Sequence, residues 1–131
     1  MELDHIGIAV ARLDAALERW RPLLGDPHGA PEVVASNRVR VAFLSAGATH
    51  VELLEPSGEG SPLGKCLAER GEGIHHLAFR VSSVDGALAE VVARGGRVVD
   101  HAARPGARGR RVGFAHPSAF GGVLVEFVEV P

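Results

Sequence analysis

The chain holds a single cysteine, Cys66, among its 131 residues. That excludes an internal disulfide framework and a cysteine pair for a zinc knuckle, and it suits a reducing compartment. Charge of one sign is also missing: the formal net charge is −2. A balance so near neutral points away from nucleic acid as a partner, although Arg104, Arg108, Arg110 and Arg111 cluster locally. No stretch approaches the ~18 apolar residues that a membrane span requires. The opening "MELDHIGIAV" has none of the basic residues that begin a secretory leader. These absences predict a soluble, cytoplasmic protein with no membrane partner. With 46% hydrophobic residues, the length suits one globular core, a single domain over residues 1–131.

What is present is repetition. Placing His5 over His76 aligns "HIGIAVARLDAALE" with "HLAFRVSSVDGALAE", matching Val10 with Val81, Asp14 with Asp85 and Leu17 with Leu88. Further on, "HVELLEP" lies against "LVEFVEV" at an offset three residues larger, with Glu52 over Glu126 and Glu55 over Glu129. The chain therefore reads as two copies of one unit, module one at about 1–56 and module two at about 73–131. A linker helix is expected over about 57–72, with Ser61 as cap and Pro62 in its first turn.

Each copy begins with a strand and an amphipathic helix. In the first, Leu13, Leu17, Trp20 and Leu24 recur at helical spacing before Gly25. In the second, Ser82 or Ser83 caps a helix whose buried stripe is Ala87, Leu88, Val91 and Val92, ended by Gly95 and Gly96. Strands at 33–47 and 49–56, with turns at Ser36–Asn37 and Ala46–Gly47, complete module one. Their counterparts are expected at about 97–101, 109–115 and 122–130. The fold class is α+β: two tandem βαβββ modules forming a curled, cup-like mixed sheet with flanking helices.

Side chains alternate across a strand, so His5 shares a face with Gly7 and Ala9, and His76 with Ala78 and Arg80. Glu52 lies with His50 and Leu54, and Glu126 with Leu124 and Val128. If both copies curl toward each other, His5, Glu52, His76 and Glu126 converge as two imidazoles and two carboxylates. Such a set with open positions suits Co²⁺, Ni²⁺, Mn²⁺ or Zn²⁺ rather than a thiolate-selecting ion, and a cation would compensate carboxylates in an apolar cup. Glu55 and Glu129 have the opposite parity and read as a solvated face. His75 likewise has the wrong parity for the site and reads as supporting or structural. His28 and His101 fall in loops and are given no role.

"LDHIGIAV", "HVELLEP", "GIHHLAFRV" and "RVGFAHPSAFGGVLVEF" in this paired arrangement resemble the vicinal oxygen chelate superfamily, and within it the methylmalonyl-CoA epimerases. The resemblance implies metal ligation by His5, Glu52, His76 and Glu126, with one divalent ion, Co²⁺ foremost, and a homodimer. It also implies a 1,1-proton transfer between the (2R) and (2S) forms of methylmalonyl-CoA through a metal-stabilised enolate. Glu126 is the candidate for one acid/base group. Some relatives carry a second glutamate on the third strand, where this chain places Val41; His50 or a metal-bound water is the substitute. The segment 103–117 is the expected substrate loop, with Arg104 and Arg108 toward coenzyme A phosphates, Gly106 for close backbone approach and His116 at its border. A glyoxalase I-like lactoylglutathione lyase uses the same ligand set, and a metal-free binding protein of the same fold is the alternative from another class.

Overall fold

The computed structural model describes residues 1–131. Its elements are β1 (Leu3–Ala9), α1 (Leu13–Leu24), β2 (Glu32–Val34), β3 (Val39–Ala46), β4 (Thr49–Pro56), α2 (Pro62–Arg70), β5 (Gly73–Val81), α3 (Val84–Ala93), β6 (Arg104–Pro105), β7 (Arg111–Ala115) and β8 (Val125–Glu129). Short 3-10 turns occur at Ala107–Gly109 and Pro117–Phe120. The eight strands form one mixed sheet in the order β2-β3-β4-β1-β5-β8-β7-β6. The same wiring occurs twice: β1 runs parallel to β4 and β5 parallel to β8, while β3 and β7 are antiparallel to those partners. This is the α+β repeat the sequence implied.

Two compact units make up the chain, His5–His75 and Met1–Asp4 together with His76–Pro131. The division falls inside β1, because the first residues pair with β5: Arg80 N–H donates to the Glu2 carbonyl at 2.9 Å.

In the unit His5–His75, α1 buries Leu13, Ala16 and Leu17 against Ala42, Leu44, Val51 and Leu53, and Trp20 and Leu24 pack at the margin. Arg12 precedes α1 without a capping side chain. The orphan amides of the first turn need another acceptor. Glu55 on β4 provides it, its Oε2 accepting from Leu13 N at 2.5 Å while Oε1 pairs with Arg40 Nη1 at 3.3 Å.

The second unit repeats the device. Val84 and Leu88 of α3 pack on Ala115, Val125 and Phe127. Ser83 caps α3 by accepting from Gly86 N at 3.0 Å, and Glu129 Oε1 on β8 accepts from Val84 N at 3.0 Å. Its other oxygen, Oε2, pairs with Arg111 Nη1 at 3.5 Å. Glu55 and Glu129 are thus helix anchors and not a solvated face: a carboxylate at a helix N-terminus satisfies an amide and meets the positive end of the dipole.

Two further expectations are corrected. No strand forms over 97–101; Val98 makes only an isolated bridge to Ala115. Asp100 takes over instead, Oδ2 accepting from Phe114 N at 2.9 Å and Oδ1 from Arg104 Nε at 2.9 Å, and the short β6 follows. Val92 is 50% exposed, because Val84, Leu88 and Val91 define the packed stripe and Val92 lies off it. Beside α3, an apolar groove of about 730 Å³ is lined by Leu77, Phe79, Ala87, Val91, Phe120 and Val123 among others. In the repeat, Val91 and Gly95 occupy the places of Trp20 and Leu24.

Glu55→Ala and Glu129→Ala should each lower unfolding free energy in urea by about 1–2 kcal/mol, the scale of a lost helix-end acceptor. Asp85 gives a pH signature. Its carboxylate accepts from Ala103 N at 2.7 Å and faces Arg111 Nη2 at 3.3 Å. The backbone hydrogen bond, assisted by Arg111, holds its carboxyl below the usual carboxylate range. A depressed folded pKa stabilises above the unfolded value of about 3.9 and loses that contribution as pH falls through the folded value. Asp85→Asn should therefore flatten the acid limb of stability against pH below about pH 4, read by thermal melts.

Candidate metal centre

In the unit His5–His75, the parallel register sets Gly7 opposite Glu52, which puts His5 and Glu52 on one face. His5 Nε2 lies 3.2 Å from Glu52 Oε1. Both residues are buried, at 3% and 5% exposure, which is rare for a carboxylate without compensation. Phe43 stands opposite Glu52 in the β3–β4 register and presents a T-shaped ring contact to His5, centroids 5.4 Å apart.

The other unit builds the same pair. Ala78 faces Glu126 across β5 and β8, and His76 Nε2 lies 3.2 Å from Glu126 Oε1. Both are buried. Phe114 stands opposite Glu126 and packs T-shaped on His76 at 5.5 Å. The two phenylalanines were not singled out in the sequence, yet the signal was there: "RVAF" at 40–43 matches "RVGF" at 111–114 at the offset that relates the histidines. Each ring shields one imidazole from water and restricts its rotation. One ligand atom from each of His5, Glu52, His76 and Glu126 lies within 4.8 Å of the others.

The remaining candidates have partners of their own. Arg104 binds Asp100 and lies over the Phe114 ring, 5.4 Å from its centroid. Arg108 Nη2 donates to Asp4 Oδ2 at 2.6 Å. Gly106 packs so closely that an added Cβ would come within 2.6 Å of Val112. His116 Nδ1 accepts from Ser118 N at 3.1 Å and starts the 3-10 turn Pro117–Phe120. His50 is half-buried, T-shaped to the His28 ring at 5.3 Å, and 6.3 Å from Phe43. His28, given no role from sequence, is placed by its N–H to the Phe43 carbonyl and by Ser45 Oγ, 2.5 Å from Nε2. Val41 is buried opposite Leu54, and β3 carries no acid.

Residues 4–114 match the model of the Glyoxalase/Bleomycin resistance protein/Dioxygenase superfamily. The chain belongs to that superfamily. Within it, the chain belongs to the methylmalonyl-CoA epimerases, a family of isomerases. It is 38% identical over 130 residues to an ethylmalonyl-CoA/methylmalonyl-CoA epimerase of Cereibacter sphaeroides, covering 98% of this chain and 97% of that protein. Among solved structures, the methylmalonyl-CoA epimerase of Mycobacterium tuberculosis superposes with TM-score 0.89 at 40% identity, over 98% of this chain and 88% of that one. A methylmalonyl-CoA epimerase in complex with methylmalonyl-CoA and NH4+ superposes with TM-score 0.89 at 41% identity, over 97% and 92% of the two chains.

Replacing Phe43 or Phe114 by Leu keeps the volume nearly filled and removes the edge contact to the imidazole. Each substitution should cost about 1 kcal/mol of stability, measured by urea unfolding of the metal-stripped protein.

Proposed function

We propose that this chain interconverts (2R)- and (2S)-methylmalonyl-CoA by moving one proton at the α-carbon. The observation that carries the reading is the buried donor set, two imidazole nitrogens and two carboxylate oxygens supplied in equivalent pairs. The relatives named above support the choice of substrate.

The donor set fits a divalent ion. Donors within 4.8 Å of one another lie close enough to share one ion at ordinary metal–ligand distances of about 2.0–2.2 Å after a small inward movement. Two neighbouring buried carboxylates repel, and a cation relieves that repulsion. His5, Glu52, His76 and Glu126 would hold the ion, with Co²⁺ favoured and Ni²⁺, Mn²⁺ or Zn²⁺ possible for the same nitrogen and oxygen set. When bound, the ion supplies a Lewis acid toward the thioester and carboxylate oxygens of the substrate, where charge develops as the α-proton leaves.

The chain's own groups move the proton. Inversion needs one group to take it and another to return it on the opposite side. A Glu126 carboxylate oxygen takes the first role, and His50, half-buried on the same strand face as Glu52, takes the second through a ring nitrogen. Phe43 and Phe114 keep water from His5 and His76. The segment bearing Arg104, Gly106, Arg108 and His116 borders the path of the acyl-CoA and is shaped by contacts with Asp100, Asp4 and Ser118.

The enzyme is proposed to act in the cytoplasm as a homodimer. No helix is long and apolar enough to cross a membrane. The groove beside α3, with Phe120 at 44% and Val123 at 43% exposure, offers an apolar face for a second copy.

In deuterated water the enzyme should wash deuterium into C2 of methylmalonyl-CoA, followed by NMR, without forming lactoylglutathione from the glutathione hemithioacetal of methylglyoxal. The reverse pattern would replace this reading with the lyase. His76→Ala should lose both bound metal, by elemental analysis, and turnover. Full turnover in that variant rejects the role given to His76.

A further inference from the structure

Asp4 is the one buried carboxylate outside the donor set, 2% exposed, and it takes no part in the reaction described above. Its Oδ1 accepts from Arg80 Nε at 3.0 Å and its Oδ2 from Arg108 Nη2 at 2.6 Å. Arg80 also reaches Glu2 Oε2 through Nη1 at 2.9 Å. The hydrogen bond that Arg80 donates to Asp4 is the chief cause that raises its guanidinium above the ordinary range.

The sheet order gives this contact its meaning. Arg108 sits in the turn between β6 and β7, whereas the segment holding Asp4 pairs with β5. β5 and β8 lie between Asp4 on β1 and the strand β7 that borders the turn. Arg108 can touch Asp4 only if this part of the sheet curls and the guanidinium spans the chord of the arc. By alternation, the inner face of that arc carries His76, Ala78 and Arg80 on β5, Glu126 and Val128 on β8, and Val112 and Phe114 on β7. Ala78, Val112 and Val128 form a closed apolar cluster there. The turn is itself held out of its preferred conformation: Arg108 has φ 58° and ψ 28°, a left-handed backbone that a long side chain seldom adopts without compensation. The bond to a buried carboxylate is that compensation.

We propose that Asp4 is a positioning residue for the metal centre: by holding Arg80 and Arg108 it fixes the curl of β5, β8 and β7, and with it the spacing of His76, Glu126 and Phe114. The inference rests on the metal reading of those residues but not on which reaction the centre serves. Arg108 thereby acts as a strap across its own unit, and its guanidinium is committed to Asp4 before any phosphate arrives.

The test uses full-length, metal-stripped protein titrated with Co²⁺ in a calorimeter, with the visible absorption of the cobalt form, the melting temperature, and kcat and KM for methylmalonyl-CoA. Asp4→Asn removes the charge and keeps the shape. Arg108→Gln releases the strap while leaving Asp4 paired with Arg80, and decides the matter if Asp4→Asn does not fold. Arg19→Gln, which breaks an exposed pair with Glu72, is the control. Asp4→Asn or Arg108→Gln should weaken Co²⁺ binding by about 10-fold or more, the scale seen when groups supporting metal ligands are removed. The cobalt bands should shift and kcat should fall with KM within about 2-fold of wild type, by the same reasoning. Asp4→Glu should restore part of the affinity. A lower melting temperature with wild-type Co²⁺ affinity, spectrum and kcat would overturn the proposal and leave Asp4 a purely structural residue. Wild-type protein that binds Co²⁺ without epimerising would refute the proposed reaction and leave this comparison valid, whereas wild type that binds none would remove the metal reading and this inference together.

Discussion

A carboxylate buried against an imidazole is the constraint around which each half of this protein is organised. Glu52 and Glu126 are each nearly sealed from water, with one histidine nitrogen 3.2 Å away in each case. Burying a charge in apolar surroundings costs several kcal/mol unless it is matched, so the sheet must hold the matching groups rigidly. Strand alternation puts both donors on one face, the parallel pairing of first and fourth strands brings them side by side, and a phenylalanine opposite the acid closes the wall. The apolar packing of α1 and α3 lies on the other faces of the same strands, which separates the core from the chemistry.

Repetition extends well past the four donors. Arg40, Phe43 and Glu55 in one unit answer to Arg111, Phe114 and Glu129 in the other, with the same contacts to ring or helix end. The copies differ elsewhere. The connection from β7 to β8 is longer than that from β3 to β4 and contains a 3-10 turn. Trp20 and Leu24 fill a margin that Val91 and Gly95 leave open.

Much of this is legible in the sequence because the strand period of two is rigid: alternation sorts His5 from Ile6 and Glu52 from Glu55, while their shared face depends on the β1–β4 register. The repeat supplied the second pair by register. What alternation does not report is a partner on another element. Glu55 and Glu129 have outward parity, and only the folded chain brings the amides of Leu13 and Val84 to them. The expected strand at 97–101 failed for a similar reason, since Asp100 bonds the backbone of β7 with its side chain in place of a full ladder. His28 shows the same limit: a loop residue becomes the neighbour of His50 through contacts that spacing alone does not encode.

The division of the chain inside β1 bears on how the molecule is made. Residues 5–75 form a continuous segment that can collapse while the ribosome is still extending the rest. The four residues ahead of them have their partners on β5 and beyond, and Asp4 meets Arg108 across a separation of 104 positions. Residues 1–4 therefore belong by packing to the unit that follows residue 75, and their contact with Arg108 carries the loop-closure entropy of a long-range pairing.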